Sequence, residues 1–209
     1  MSIRAVIFDF GRVISDFDIG RFIAHAARFS ALSPAGLKEA VARAMPTAER
    51  YETGLISSLK FYEEVSKTAS LQMSEEEFRR AYTDIFTQKP GTIDLIRRLK
   101  PLYRLGLLSN TNEWHFESGV RTVSIFPLFD AVTLSYEVRA MKPDPRIYAD
   151  MLGKLELPAR ECAYIDDIAE YVAAGRALGL AAFQYTTHEN LIRDLTAAGI
   201  NIPPDNSHH

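Results

Sequence analysis

The chain has 209 residues, of which 47% are hydrophobic and 24% charged. A chain of this length and composition can bury a core without disulfides, so a disordered or fibrous protein is excluded. The net charge is −3, and the 24 lysines and arginines are scattered along the chain rather than clustered. Because a nucleic-acid partner requires a concentrated basic surface, we expect no nucleic acid as a partner.

The sequence also gives an expectation for the cellular compartment. It contains no apolar run long enough to span a bilayer, and no small-residue cleavage site follows its first apolar stretch. Its one cysteine, Cys162, cannot form an internal disulfide. We therefore expect a cytoplasmic protein that does not associate with membranes, in the state of a monomer or a homodimer.

The N-terminal third of the chain predicts one strand followed by helices. Residues 3–10 are almost continuously apolar and rich in β-formers, which is typical of a strand buried on both faces. From Asp18 to about Thr87 the apolar residues recur with helical spacing, and Ser74 to Glu77 has the pattern of a capping box. We predict a helical cap domain over residues 17–87, inserted after the first strand.

The rest of the chain predicts alternating strands and helices. Further strands are predicted at residues 103–108, 131–134, 162–165 and 180–185, with helices between most of them. This alternation predicts an α/β fold with a mostly parallel sheet, formed by residues 1–16 and 88–200. Residues 201–209 have no periodicity and are predicted to be a disordered tail.

Polar residues occur where four of the predicted strands end. They are Asp9, Ser109 with Asn110, Lys142 after a short loop, and Asp166 with Asp167. In an open α/β sheet, ligands bind beyond the carboxyl ends of the strands. The sequence therefore predicts that these residues meet in one site.

These segments resemble the four motifs of the haloacid dehalogenase-like superfamily in both order and spacing. The four segments are Ile7–Ile14, Leu107–Asn112, Met141–Tyr148 and Tyr164–Gly179. The chain is most similar to bacterial phosphatases that act on sugar phosphates such as glucose 1-phosphate, which also carry glycine two residues after the first aspartate. The resemblance implies a Rossmann-like core with the third predicted strand at one edge and the first beside the fourth. It also implies that the helical insert covers the active site.

The resemblance further implies a magnesium-dependent phosphatase whose nucleophile is Asp9. Carboxylates are hard oxygen ligands that suit Mg²⁺, which fits the acidic pair Asp166 and Asp167. The family pattern makes Asp9, the backbone carbonyl of Gly11 and one of this pair the metal ligands. We favour Asp167 as the direct ligand and Asp166 as the outer one.

The remaining motif residues are assigned to the phosphate of the substrate. The resemblance implies that Lys142 neutralises the phosphoryl group and holds the nucleophile. Ser109, with the backbone at Asn110, is expected to donate hydrogen bonds to the phosphate oxygens. We therefore predict a small phosphorylated metabolite as the substrate, with a sugar phosphate as one option.

Gly11 departs from the phosphatase pattern, which has a second aspartate at this position. That aspartate protonates the leaving oxygen and then activates water, and such assistance typically contributes about 10² to 10⁴ in rate. Three explanations remain open: another group supplies the proton, the favoured substrate has an easy leaving group, or the enzyme is slow. The sequence leaves open which residue would substitute; the candidates are Asp16, Asp18, His25, Asn112 and His115.

Two other functions remain open at this point. Haloacid dehalogenases also lack the second aspartate, but they need no metal, which would leave Asp166 and Asp167 as unexplained repelling charges near Asp9. A protein that binds a phosphorylated ligand without turning it over is the other alternative, since Gly11 permits it.

Overall fold

The computed structural model describes residues 2–204 and is built on a five-stranded parallel sheet. The strands within this range are β1 (Ala5–Phe8), β2 (Ser15–Phe17), β3 (Phe86–Gln88), β4 (Arg104–Ser109), β5 (Ala131–Leu134), β6 (Cys162–Asp166) and β7 (Ala181–Gln184). The sheet has the order β5-β4-β1-β6-β7, and every neighbouring pair in it is parallel. This confirms the α/β fold class and the strand order that the family resemblance implied.

The central strand β1 is buried on both faces, as its continuous apolar sequence predicts. Val6 and Phe8 belong to a hydrophobic cluster on one side of the sheet, and Ala5 and Ile7 belong to a second cluster on the other side. Successive side chains of a strand point to opposite faces, so a strand covered by helices on both sides must be apolar throughout.

Helices cover both faces of the sheet and also form the inserted segment. They are α1 (Ile19–Ala26), α2 (Pro34–Arg43), α3 (Met45–Glu52), α4 (Ser58–Thr68), α5 (Glu75–Thr83), α6 (Pro90–Leu99), α7 (Glu113–Ser118), α8 (Ser135–Val138), α9 (Pro145–Leu155), α10 (Ala169–Ala177) and α11 (His188–Ala197). Within residues 2–204, no helix combines the length with the apolar composition that crossing a bilayer requires.

The five helices α1 to α5 pack around an aromatic cluster of their own. Its members include Phe22, Phe61, Phe78 and Tyr82, and Trp114 of α7 enters the same cluster from the sheet domain. The predicted capping box at the start of α5 is present, because Ser74 and Glu77 each accept a hydrogen bond from the backbone of the other. The division between residues 17–87 and the rest of the chain remains our proposal of domain organisation.

A short two-stranded antiparallel sheet connects the inserted helices to the sheet domain, and the sequence pattern does not predict it. It pairs β2 with β3, and each of these strands has only three residues. Asp16 and Phe17 in β2 are exposed, as are Thr87 and Gln88 in β3. Strands this short and this exposed have no apolar alternation to detect.

The C-terminal segment differs in part from the predicted disordered tail. Ile202 packs against the main core, Asn201 donates its backbone N–H to the Tyr103 hydroxyl at 2.8 Å, and the carbonyl of Pro203 accepts from Arg98 at 2.6 Å. These long-range contacts hold a segment whose local sequence has no periodicity. Residues 205–209 of the predicted tail lie outside the described residues.

Candidate active site

Lys142 is the centre of the polar cluster at the carboxyl ends of the strands. Its ammonium nitrogen lies 2.6 Å from a carboxylate oxygen of Asp9 and 2.6 Å from one of Asp166, and it also donates to the carbonyl of Leu108 at 3.3 Å. Its side chain is 2% exposed. The structure thus brings the ends of β1, β4 and β6 together around one buried cation, as the strand-end pattern predicts.

Burial and charge oppose each other at Asp9. Burial raises the pKa of its carboxyl to about 7, although the ammonium of Lys142 acts in the opposite direction and the charge of Asp166 adds to the rise. Burial alone would lower the pKa of Lys142, but the two carboxylates outweigh it and hold that pKa above the ordinary value. Lys142 is therefore a permanent cation, and a further positive charge would favour the ionised form of Asp9.

The two acidic residues after β6 have different surroundings. Asp166 is fully buried and accepts hydrogen bonds from Lys142, from the Tyr164 hydroxyl and from the backbone N–H of Ile168. Asp167 is half-buried, and no other residue in the described part of the chain donates to its carboxylate. Burial and the neighbouring charge of Asp166 raise the pKa of Asp167. These surroundings leave Asp167 freer to bind a metal ion than Asp166.

The carboxylates fit a divalent cation. Asp9, Asp166 and Asp167 each offer an oxygen, and these oxygens lie within 4.8 Å of one another. Lys142 neutralises one of three potential negative charges, so the ionised cluster has an excess of negative charge. An oxygen-only donor set with excess charge suits Mg²⁺, which keeps water and phosphate oxygens as its remaining ligands.

Asn110 holds the lysine loop in place. Its side-chain oxygen accepts from the backbone N–H of Lys142 at 2.8 Å, and its amide nitrogen donates to the backbone carbonyl of Lys142 at 3.2 Å. The side chain of Asn110 is thus occupied in positioning Lys142. Its backbone N–H has no acceptor among the described residues and remains available to a ligand.

A small cavity lies beside this cluster, with a volume of about 120 Å³. Gly11, Ser109 and Asn110 line it from the sheet domain, and Glu52 lines it from the end of α3. The hydroxyl of Ser109 makes only a long hydrogen bond, 3.4 Å, to the carbonyl of Asn110. We call this space the phosphate-site cavity, after the role that the sequence analysis predicts for Ser109 and Asn110 in its wall.

Three of the candidates for the missing acid are engaged elsewhere. Asp16 is exposed and forms an ion pair of 3.0 Å with Lys89. Asp18 caps α1 by accepting the backbone N–H of Gly20 at 2.8 Å. His25 lies on the surface against Arg28 and is not part of the cavity wall.

The other two candidates, His115 and Asn112, bind each other. The Nε2 atom of His115 lies 3.1 Å from the carbonyl of Tyr82 and must donate to it, so Nδ1 accepts from the Asn112 amide at 3.1 Å. Burial lowers the pKa of His115 to about 4, which keeps the ring neutral. His115 lines the cavity, but both of its ring nitrogens already have partners.

Glu52 is the cavity residue that the sequence analysis missed. Burial, with a further contribution from the charge of Glu49, raises the pKa of its carboxyl to about 7. Nothing local marks this residue, because a glutamate near the C-terminus of a helix is ordinary in sequence. Only the packing of the inserted helices over the sheet places it in the wall of the same cavity as Gly11.

Comparisons with known proteins point to one family. A sequence model of haloacid dehalogenase-like hydrolases matches residues 3–179. A D-ribitol-5-phosphate phosphatase from Bacteroides thetaiotaomicron is 26% identical over 208 residues, which cover 93% of this chain and 97% of the relative.

Solved structures share the fold. A Bacteroides thetaiotaomicron enzyme of the same family, solved as a magnesium complex, superposes with a TM-score of 0.79 at 21% identity, covering 92% of this chain and all of the other. An L-2-haloacid dehalogenase from Xanthobacter autotrophicus superposes with a TM-score of 0.64 at 21% identity, covering 97% of this chain and 85% of the other. These similarities show the fold alone, so the side chains of this site must decide between a phosphate ester and a haloacid as substrate.

Proposed function

Because the chain belongs to the haloacid dehalogenase-like hydrolases, we propose that it hydrolyses the phosphate ester of a small metabolite through an aspartyl-phosphate at Asp9. It is a phosphohydrolase, and its cofactor is Mg²⁺. The observation that carries the proposal is the position of Asp9, which is held by Lys142 within one cluster with Asp166 and Asp167. That the protein works in the cytoplasm as a monomer or a homodimer stays a prediction.

The reaction follows from the positions of these side chains. A carboxylate oxygen of Asp9 forms a bond to phosphorus while the bond from phosphorus to the ester oxygen breaks, and the alcohol leaves with a proton. Water then attacks the aspartyl-phosphate, which releases inorganic phosphate and restores Asp9. Lys142 fixes the carboxylate of Asp9 and balances negative charge during both steps.

The metal would be held by Asp9, the carbonyl of Gly11 and Asp167, with Asp166 as an outer group. When bound there, Mg²⁺ supplies positive charge to the phosphate oxygens, so that an anionic nucleophile can approach them. The hydrogen bonds to Asp166 support its outer role, because both of its oxygens already have donors. The hydroxyl of Ser109 and the backbone N–H of Asn110 would bind the phosphate oxygens.

The acidic pair favours phosphate over halide. A metal-free dehalogenase would gain nothing from two further carboxylates beside Asp9, and each would oppose ionisation of the nucleophile. The relatives named for ribitol 5-phosphate and for phosphorylated carbohydrates support a phosphate ester as substrate. They leave the organic part of that ester open.

The test is a screen of phosphorylated metabolites with and without Mg²⁺, combined with acid quenching during turnover. We expect phosphate release that depends on Mg²⁺, and a phosphorylated peptide that contains Asp9 in the quenched sample. Turnover of a 2-haloacid without metal would replace this function by dehalogenation. Binding of phosphate analogues with neither phosphoenzyme nor phosphate release would leave a binding protein.

A further inference from the structure

A second and larger cavity lies among the inserted helices, next to the phosphate-site cavity. Its volume is about 240 Å³, and apolar side chains make up most of its wall. We call it the cap chamber. Phe17, Glu52, Ile85 and His115 line both spaces, so the chamber begins where the phosphate site ends. A substrate whose phosphate lies at Asp9 would extend its organic part into the chamber.

The outer end of the cap chamber is also apolar. Phe17, Ile19 and Met45 belong to its wall and are 44%, 41% and 63% exposed, respectively. Three large apolar side chains exposed around one opening are unusual on a protein surface and indicate an apolar ligand. A polar metabolite would gain nothing from them.

The few polar groups in the wall are mostly occupied. Both ring nitrogens of His115 have partners, and the Tyr82 hydroxyl accepts a hydrogen bond from Asn112 at 3.2 Å. Among the lining residues described, Glu52 has the one carboxyl. A polyol would bury several hydroxyls with almost no partners, and each unpaired hydroxyl weakens binding by about tenfold or more.

We propose that the cap chamber binds the organic part of the substrate and that this part is a compact apolar group, aromatic or branched, rather than a polyol. The proposal rests on the proposed function and names its substrate class.

Two primary alkyl phosphates test the proposal, benzyl phosphate and ribitol 5-phosphate. Their leaving groups are both primary alkoxides, so a difference in kcat/KM reports the organic part. We expect kcat/KM about 100-fold higher for benzyl phosphate, which is typical of discrimination by a fitted apolar pocket. An equal or higher value for ribitol 5-phosphate would overturn the substrate class, yet it would leave phosphatase activity in place.

A variant that fills the chamber locates the effect. Ala48 lines the chamber, whereas Ala42 is exposed on α2 outside it. Ala48→Phe should lower kcat/KM for benzyl phosphate at least tenfold and spare acetyl phosphate, whose acyl group is small, while Ala42→Phe changes neither. Met45→Lys, at an exposed position, repeats the test without touching the core. Equal loss on both substrates would place the organic group elsewhere, and no hydrolysis of any phosphate by the wild type would remove the proposed function itself.

A separate observation concerns Glu52. Glu52 lines both cavities, and no group among the described residues donates a hydrogen bond to its carboxylate. Its backbone is fixed to the sheet domain, because its carbonyl accepts from the Ser135 hydroxyl at 2.6 Å, and that hydroxyl also binds the backbone of Thr111. An unpaired carboxyl is thus held at the boundary where the ester oxygen of the substrate would lie.

We infer that Glu52 transfers the proton for which Gly11 provides no group. The protonated carboxyl gives its proton to the ester oxygen as the bond to phosphorus breaks. The resulting carboxylate takes a proton from the water that attacks the aspartyl-phosphate, so the enzyme returns to its starting state. The raised pKa of Glu52, about 7, allows both forms to exist at neutral pH.

Leaving groups of different basicity separate this role from a structural one. Glu52→Gln should lower kcat/KM for benzyl phosphate by about 10² or more, and it should affect 4-nitrophenyl phosphate much less, since nitrophenolate leaves without a proton. Glu39→Gln, at an exposed glutamate on α2 that lines neither cavity, is the matched control and should leave both values near those of the wild type. Losses by the same factor on both substrates, or no loss, would overturn the role of Glu52.

Restoring a carboxylate at Gly11 provides a rescue. The backbone of Gly11 is not left-handed, and an added Cβ would lie 3.4 Å from Phe17 and 3.8 Å from the Asp9 carboxylate, which are ordinary contacts. Adding Gly11→Asp to Glu52→Gln should raise kcat/KM for benzyl phosphate at least tenfold. Gly11→Asp alone should change the wild-type kcat/KM little. A double variant that folds and remains as slow as Glu52→Gln would contradict the inference.

Discussion

The two ends of the active site are built by different physical means. At the sheet end, Asp9, Lys142 and Asp166 are buried charges that hold one another by short hydrogen bonds. At the cap end, the wall is apolar and one carboxyl, Glu52, stands without a donor among the described residues. From this comparison we expect charge to fix the reacting phosphate, and shape with the hydrophobic effect to select the organic group.

The two ends are also joined by specific contacts. Trp114 of the sheet domain packs within the aromatic cluster of the inserted helices. Gly54 follows α3 with a φ of +65°, and a Cβ there would lie 2.1 Å from the carbonyl of Tyr136. The cap end is therefore positioned by close approach to the sheet domain as well as by its own packing.

Removing the nucleophile should produce the largest effect, a loss of catalysis at the sheet end that leaves the cap end unchanged. Asp9→Asn should lower phosphate release by at least about 10³-fold while the fold remains, because Lys142 keeps Asp166 as its partner. Asp16→Asn, at an exposed acid in β2, is the control. The measurement is kcat/KM together with thermal unfolding. If Asp9→Asn retained more than a few per cent of wild-type activity, another residue would have to be the nucleophile.

Removing the metal should affect the same end nearly as strongly. With Mg²⁺ chelated, the carboxylates of the cluster repel one another and the phosphate of the substrate. Turnover should therefore fall to a small fraction of its original value and return when Mg²⁺ is added. Phosphate release is measured in excess EDTA and after the addition of Mg²⁺. Full activity in EDTA would contradict the metal assignment.

The junction between the two ends can be strained without touching either cavity. Gly54→Ala should lower the free energy of unfolding by about 2–3 kcal/mol, because alanine resists the left-handed backbone and its Cβ meets the carbonyl of Tyr136. Gly153→Ala is the matched control, since a Cβ inside α9 meets nothing within 4 Å and should be neutral or stabilising. Denaturant unfolding of both variants checks this, and equal stability of the two would argue against the close approach at Gly54.

A last effect concerns the pH dependence of stability at the cap end. The pKa of Glu52 rises from 4.5 in the unfolded chain to about 7 in the folded protein, so the folded state binds more protons between these values and loses stability as the pH rises through them. Between pH 5 and pH 8, the wild type should lose up to about 3 kcal/mol more than Glu52→Gln. Denaturant unfolding at both pH values measures this difference. Parallel pH dependence of the two proteins would show that burial does not perturb Glu52.

The sheet domain was largely predictable because its strands are buried and therefore apolar throughout. The patterns around Asp9, Ser109 and Asp166 predicted the strand positions within a few residues, and the family resemblance gave their order. The two-stranded sheet of β2 and β3 was not predicted, since three-residue exposed strands depend on each other and carry no local pattern. The contacts of residues 201–203 were not predicted either, because they join this segment to residues far away in the chain.

By itself, the sequence determined the positions of the buried strands, the capping box at Ser74 and the set of polar residues at the strand ends, because each depends on neighbours along the chain. Only the tertiary structure decided that Asn110 holds Lys142, that His115 is already bonded at both nitrogens, and that Glu52 lines the same cavity as Gly11. These relations join residues 32, 33 and about 40 positions apart. Such separations along the chain are closed by tertiary packing, within the sheet domain for Asn110 and Lys142 and between the inserted helices and the sheet for the other two, and no local periodicity records them.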